Sequence, residues 1–195
     1  MVNKAAPLVL HRLFPVREVF RHLRHSQYHK ASDEFVEHIF KKRFSSVDLY
    51  DHMTSKGVHV NFCNDKGQTP LMVAAFWGKD IAVEELLQPP FLAATNTTSD
   101  LSKDGKQALH YAAEEGHLDS LQLLLKFGAY TEFRDNWGNT PLHYASMNNH
   151  FECAKKLLIY GARVTPMNKD CNMPGAVAHN REMATLLNSR ILVKV

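Results

Sequence analysis

Apolar residues recur at helical spacing in two adjacent segments of the C-terminal half of the chain. Leu142 and Ala145 lie three positions apart in the first segment. The second segment contains Ala154, Leu157 and Leu158. Recurrence three or four positions apart is typical of an amphipathic helix that buries one face. The pattern therefore predicts two short helices that pack together along their apolar stripes.

Turn and cap residues bound these two segments. Gly138 can adopt a positive φ without steric cost, and Thr140 followed by Pro141 is typical of the start of a helix. Asn149 can take the left-handed conformation that ends the first helix, and Gly161 ends the second. The predicted unit is a turn, a helix, a second helix and another turn.

The same unit occurs three times along the chain. Moving back 33 positions from Gly138 leads to Gly105, and a further 38 positions lead to Gly67. The residues Thr-Pro-Leu-His-Tyr-Ala, two positions after Gly138, correspond to Gln-Ala-Leu-His-Tyr-Ala and Thr-Pro-Leu-Met-Val-Ala in the other copies. These copies resemble ankyrin repeats, whose signature includes Thr-Pro-Leu-His-x-Ala on a period of about 33 residues. The resemblance implies an all-α repeat fold, a solenoid of helix-turn-helix units joined by β-hairpin-like turns.

The periodicity divides the chain into six parts. They are a basic leader with an amphipathic helix, a degenerate first repeat, a repeat with a long loop, two regular repeats, and a truncated C-terminal capping repeat with its tail: residues 1–31, 32–63, 64–101, 102–134, 135–167 and 168–195. The last repeat is truncated because only eight residues separate Ala178 from Leu186, whereas twelve separate Ala145 from Leu157. The apolar tail that begins at Ile191 either packs on the stack or binds a partner.

The composition is that of a globular protein, with 45% hydrophobic and 22% charged residues among 195. Cys63, Cys153 and Cys171 lie far apart, so they indicate neither a disulfide framework nor a structural zinc site. No apolar run approaches the roughly 18 residues that a membrane helix needs. We expect a protein of the cytoplasm, the nucleus or both, with no transmembrane segment and no cofactor. The oligomeric state stays open.

Positive charge is concentrated in the leader. Residues 1–44 contain nine Lys or Arg and four Asp or Glu, a net charge of +5, and the remaining 14 and 16 leave −2. An apolar stripe follows Pro15, and we interpret this helix as a cap on the stack. A binding element and a mitochondrial targeting segment are the alternatives. His22, His25 and His29 would share one side of the helix, but without a fourth ligand they favour solvated histidines over a metal site.

No motif of catalysis is present: the chain lacks a Gly-rich phosphate loop, a Gly-x-Ser-x-Gly elbow and a His-Glu-x-x-His pair. For His110 and His143, the resemblance implies hydrogen bonds to the turn backbone of their own and neighbouring repeats. Met72 occupies this position in the first clear repeat, which a required catalytic histidine would not predict. We therefore predict that the chain is not an enzyme.

The resemblance implies a concave groove where partners dock. Turn residues beside each glycine and the two residues after each alanine pair would line it: Asp65, Lys66, Gln68, Phe76, Trp77, Lys103, Asp104, Lys106, Glu114, Glu115, Asn136, Trp137, Asn139, Met147 and Asn148. The strongest candidates for partner binding among them are Lys66, Phe76, Trp77, Asp104, Glu114, Asn136, Trp137 and Met147.

Large apolar side chains at these positions are the main functional clue. Phe76 with Trp77, and Trp137 with Met147, are unusual where the repeat framework does not need them, and exposed tryptophan is typical of interface anchors. The alternative is that Phe76 and Trp77 cover the inserted loop or pack within the chain. Glu114 and Glu115 are expected to belong to a solvated face, and selection of a basic partner by electrostatic steering is the alternative.

These observations predict a non-catalytic interaction module, an adaptor or regulatory subunit with a protein partner. Its size is similar to that of ankyrin-only regulators of protein kinases and transcription factors, so a cell-cycle kinase complex is one expected partner. The alternative is nucleic-acid or anionic-membrane binding through basic residues 11–43. Nucleic acid is the weaker expectation, because acids dilute the basic residues and no aromatic stacking pattern accompanies them.

Overall fold

The computed structural model describes residue 63, residues 66–89 and residues 104–192. Within these residues the chain forms seven α-helices and no strand. The helices are α1 (Pro70–Phe76), α2 (Asp80–Leu87), α3 (Ala108–Glu115), α4 (Leu118–Lys126), α5 (Pro141–Met147), α6 (Phe151–Ile159) and α7 (Arg181–Leu192). None of these helices is long and apolar enough to cross a membrane.

Several predictions concern parts of the chain outside the described residues. These are the leader helix with its three histidines, the degenerate first repeat except Cys63, most of the inserted loop, and the end of the tail: residues 1–62, 90–103 and 193–195.

The first six helices form two layers. α1, α3 and α5 pack side by side in one layer, and α2, α4 and α6 form the other. Each helix of the first layer also packs on the second helix of its own repeat. This arrangement confirms the all-α solenoid that the repeated pattern predicts.

The alanine pairs explain the close packing of the first layer. Ala74, Ala112 and Ala145 are completely buried, and such small side chains let neighbouring helices approach one another. Ser146 takes the second place of the pair in the last full repeat, and its hydroxyl donates to the Leu142 carbonyl oxygen over 2.7 Å. The buried hydroxyl is therefore satisfied within its own helix.

The helices of the first layer begin as the cap signals predict. In α1, Thr69 Oγ1 accepts the Met72 N–H over 3.3 Å, and the Met72 sulfur lies 3.5 Å from the Thr69 nitrogen, which donates to it. In α5, His143 Nδ1 accepts the Thr140 N–H over 3.1 Å. Asn149 ends the short helix with a φ of 60°, the left-handed conformation expected of it.

Hydrogen bonds join the turns of the last three repeats to one another. The Asn136 N–H donates to the Asp104 carbonyl oxygen over 3.0 Å, and the Lys169 N–H donates to the Trp137 carbonyl oxygen over 2.9 Å. A backbone hydrogen bond from Asp135 to the carbonyl of Asn139 closes the middle turn over 3.0 Å. The turns of the last three repeats therefore form a continuous row.

The C-terminal repeat lacks a first helix. A single turn around Met173 replaces it, and α7 follows directly. α7 buries Met183 and Leu187 against the stack, and residues on its other side are exposed: Arg181, Glu182, Thr185, Asn188 and Ser189. A polar outer face is typical of a terminal repeat that covers the core.

Candidate functional site

The turn that carries Trp137 is organised by the buried carboxylate of Asp135. Asp135 Oδ1 accepts the N–H groups of Trp137, over 2.9 Å, and Asn139, over 2.8 Å. Its Oδ2 accepts the Tyr144 hydroxyl over 2.5 Å, and burial, followed by this carboxylate, raises the pKa of Tyr144 well above its usual value. The Trp137 backbone is thus fixed while 49% of the residue's surface stays exposed.

Trp77 lies at the end of α1 on an aromatic support. The Phe76 ring meets the Trp77 ring edge to face, with centroids 5.2 Å apart, and meets the Tyr111 ring at 5.9 Å. His117 Nε2–H donates to the Phe76 carbonyl oxygen over 3.1 Å. Trp77 is 55% exposed, so a large aromatic surface faces outward from a backbone that the next repeat holds.

The next repeat shows the same arrangement at the end of α3. The Nε2–H of His150 donates to the Glu114 carbonyl oxygen over 2.9 Å, and the Nδ2–H of Asn148 donates to the same oxygen over 2.6 Å. Glu115 follows this carbonyl and is exposed. Residues 77, 115 and 148 are therefore equivalent positions at the exposed ends of three packed helices.

The sequence pattern did not predict that His117 and His150 hydrogen-bond to the repeat before their own. Each follows a residue with positive φ, and the two are 33 positions apart. The His150 ring occupies the space above Gly116, where an added Cβ would lie 2.3 Å from His150 Nδ1. The recurrence of histidine one repeat apart, directly after a glycine or asparagine, was the signal that could have revealed this contact.

Lys106 and Glu114 form an ion pair that the sequence did not predict. Lys106 is only 7% exposed, and its Nζ lies 2.8 and 2.7 Å from the two carboxylate oxygens of Glu114. The ammonium also lies 4.2 Å from the centroid of the Tyr144 ring. The expectation that Glu114 belongs to a solvated face is wrong, because its carboxylate compensates a lysine buried against aromatic rings.

The described candidates differ in exposure. Exposed candidates are Lys66, Trp77, Glu115, Asn136, Trp137 and Asn148. Half-buried candidates are Gln68, Phe76, Asp104, Glu114 and Met147. Lys106 and Asn139 are buried, because the first pairs with Glu114 and the second closes the turn onto Asp135. Asp65 and Lys103 lie outside the described residues. We call the six exposed residues together the groove face.

The histidines of the repeat signature hold neighbouring turns together. His110 Nε2–H donates to the carbonyl oxygens of Phe133, over 3.1 Å, and Asn139, over 3.3 Å. His143 Nε2–H donates to the Asn172 carbonyl oxygen over 3.0 Å. Burial lowers the pKa of His110 to about 4 and also lowers the pKa of His143. The hydrogen-bonding role that the resemblance implied for these two residues is confirmed.

Within the described residues, no three His, Cys, Asp or Glu side chains form a group that could hold a metal ion. Burial raises the pKa of the Cys153 thiol to about 11, so this group carries no thiolate at neutral pH. Trp77 and Trp137 are exposed at places where hydrogen bonds hold the backbone.

A family model matches the repeats seen in this fold. The model describes ankyrin repeats in three copies, and it matches residues 38–135 and 83–168. Ankyrin repeats are protein-protein interaction modules, and the family is generally non-catalytic.

Three relatives show how far the similarity extends. The E3 ubiquitin-protein ligase Ufd4 of Drosophila melanogaster is 37% identical over 97 residues, which are 49% of this chain and 3% of that protein. Ankyrin repeat domain-containing protein 63 of Mus musculus is 36% identical over 77 residues, 40% of this chain and 20% of that protein. SH3 and multiple ankyrin repeat domains protein 2 of Homo sapiens is 32% identical over 99 residues, which are 49% of this chain and 5% of that protein. The similar region is thus a fifth or less of each relative.

Proposed function

Because the chain belongs to the ankyrin-repeat family, we propose that it is a non-catalytic adaptor or regulatory subunit that binds a protein partner on the groove face. The observation that carries this proposal is the exposure of Trp77 and Trp137, 55% and 49%, at positions where the backbone is fixed by neighbouring residues. The repeat framework does not require a large side chain at either position.

The energetics of interfaces support this choice of surface. Tryptophan is enriched among the few residues that dominate binding, and truncation of such an anchor costs about 2 kcal/mol or more. His117 Nε2–H donates to the Phe76 carbonyl oxygen and the Trp137 N–H donates to Asp135 Oδ1, so the backbone beside both anchors is held before binding. A surface ordered in advance loses less conformational entropy when a partner docks.

Affinity purification from a native cell extract tests the proposal. The wild type is compared with a Trp77→Ala/Trp137→Ala double variant after circular dichroism has shown that both fold alike. An Ile159→Ala/Tyr160→Ala double variant is the matched control, because these exposed apolar residues lie at the end of α6 in the other helical layer. A protein retained by the wild type and the control, but lost by the tryptophan variant, supports the groove face. The proposal fails when the same proteins survive loss of both tryptophans.

The finer proposal is that the partner is a protein kinase complex of the cell-cycle type. It rests on the number of repeats, which is similar to that of ankyrin-only kinase regulators. We also propose that the protein acts in the cytoplasm, the nucleus or both. Recovery of a kinase subunit in the tryptophan-dependent fraction supports the kinase proposal, and its absence from that fraction contradicts it. A fluorescent fusion excluded from both compartments would contradict the proposed location.

An alternative function is supported by the net charge of +5 in residues 1–44. Basic residues 11–43 would then bind nucleic acid or an anionic membrane, with the repeats as a tether. Salt separates the two proposals, because affinity based on phosphate contacts falls steeply as ionic strength rises. Binding that is lost when salt rises from about 50 to about 200 mM, and that does not depend on any groove-face residue, favours the leader. Binding that persists at high salt and depends on Trp77 favours the groove face.

A further inference from the structure

We propose that the groove face selects an extended partner segment that carries a large apolar side chain and, about three residues away, a lysine or arginine. The apolar side chain would contact Trp77, and the basic one would pair with Glu115. This inference rests on the proposed function and adds the chemistry by which the partner segment is recognised.

The positions of the two residues set the spacing. Trp77 and Glu115 occupy equivalent places at the ends of α1 and α3, which pack side by side. Neighbouring packed helices lie about 8 to 10 Å apart, and an extended chain rises about 3.3 Å per residue. A partner segment that crosses from one helix end to the next therefore advances by about three residues.

Trp77 and Phe76 form the apolar subsite. The Trp77 ring rests edge to face on the Phe76 ring, which in turn meets Tyr111. Aromatic side chains provide large contact area with few rotatable bonds, so they order at low entropic cost. An aromatic or large aliphatic side chain of the partner matches this surface.

The charges of the middle repeat define the second subsite. Lys106 and Glu114 compensate each other in their buried ion pair, so neither contributes net charge to the groove face. The carboxylate of Glu115 remains exposed, and it forms no ion pair with any residue of the described ranges. This repeat therefore favours a cation.

The flanking repeats restrict where that cation can bind. Trp77, at the end of α1, is uncharged and offers a cation no carboxylate. Asn148, at the equivalent end of α5, is a neutral amide whose Nδ2–H already donates to the Glu114 carbonyl oxygen. The three equivalent positions are thus apolar, acidic and neutral. Among them only Glu115 offers a carboxylate to the basic residue of the partner.

Selection from a phage-displayed library of random twelve-residue peptides tests the inference. The full chain serves as bait in three further forms: Glu115→Lys, Trp77→Ala and, as a matched charge reversal on exposed α7, Glu182→Lys. The wild type and Glu182→Lys should enrich an apolar residue with Lys or Arg two to four positions away. Glu115→Lys should replace that basic preference with Asp or Glu, and Trp77→Ala should remove the apolar preference. For one enriched peptide, Glu115→Lys should weaken binding about tenfold, close to 1.4 kcal/mol.

The outcomes separate this inference from the function on which it rests. Peptides that depend on Trp77 but show no basic residue, or no response to Glu115→Lys, overturn the charge rule and leave the groove function standing. A selection that yields no peptide dependent on Trp77 contradicts both.

Discussion

His150 of one repeat donates its Nε2–H to the carbonyl oxygen of Glu114, 36 residues earlier, over 2.9 Å. His117 makes the equivalent bond to Phe76 in the preceding pair of repeats. The signature histidines act in the opposite direction, since His110 donates to the carbonyl groups of the following turn. Each regular repeat is therefore joined by histidine both to the repeat before it and to the repeat after it.

The backward hydrogen bond should contribute measurably to stability. His150→Ala leaves the Glu114 carbonyl with the Asn148 amide alone and removes the ring above Gly116. We expect a loss of about 1 to 3 kcal/mol in the free energy of unfolding, measured by urea denaturation. His179→Ala is the control, because His179 is exposed, and it should change the value by less than about 0.5 kcal/mol. Equal effects of the two substitutions would contradict this role.

The space above Gly116 gives a second prediction. Gly116→Ala combines a φ of 77° with a contact of 2.3 Å to His150 Nδ1, whereas Gly128 has a φ of 83° and no atom near its absent side chain. Both alanines should cost about 1 to 2 kcal/mol through backbone strain, and Gly116→Ala should cost more. In a double-mutant cycle measured by chemical denaturation, His150→Ala should recover that extra cost. A strictly additive cycle would show that the ring does not occupy this space.

Acid should destabilise the stack through His110. Its folded pKa, about 4, lies below the unfolded value of 6.5, so the unfolded state binds more protons between these pH values. This contribution to stability is complete above pH 6.5 and is lost as pH falls towards 4, by about 3 kcal/mol in total. Urea denaturation at pH 7.0, 5.5 and 4.5 measures the slope.

His110→Met is the comparison that isolates this residue, because Met72 fills the same position in the first described repeat. The variant should be less stable at pH 7, since it loses the hydrogen bonds to Phe133 and Asn139. Its stability should also depend less steeply on pH, by up to about 1.4 kcal/mol per pH unit. Parallel pH profiles for wild type and variant would exclude His110 as the titrating group.

The buried ion pair predicts unequal effects for two glutamates. Glu114→Gln removes the charge that compensates the buried Lys106 ammonium, and we expect it to cost about 2 to 3 kcal/mol of unfolding free energy. Glu152→Gln breaks the exposed pair with Lys155 and should cost less than about 1 kcal/mol. Thermal and urea denaturation of both variants provide the measurement. Equal costs would mean that Lys106 does not need Glu114 as a counter-charge.

The sequence predicts the repeated framework well because its signals are local. Thr69 and Thr140 each precede a proline at a helix start, and Asn149 ends its helix in the expected left-handed conformation. Counting residues from Ala178 to Leu186 likewise predicts that about one helical turn is missing after Ala178. Cys171 adopts a positive φ at the position that corresponds to Gly138 in the preceding repeat. Nothing in the structure explains why a cysteine stands there.

The polar contacts between repeats could not be predicted in the same way. The burial of Lys106 depends on Glu114, eight residues later, and on Tyr144 from the next repeat. The bonds of His117 and His150 depend on carbonyl groups about one repeat earlier. Periodicity marks these residues as equivalent to one another, but only the stacked backbone shows which atoms they meet.

Photo-crosslinking at single positions tests the groove face most directly. The photoreactive residue p-benzoylphenylalanine replaces Trp77, Trp137 or, as the control on the other layer, Ile159, and each variant is irradiated in native cell extract. Our account predicts that one protein crosslinks from positions 77 and 137 and does not crosslink from position 159. A partner that crosslinks from position 159, and from neither tryptophan position, would contradict the account.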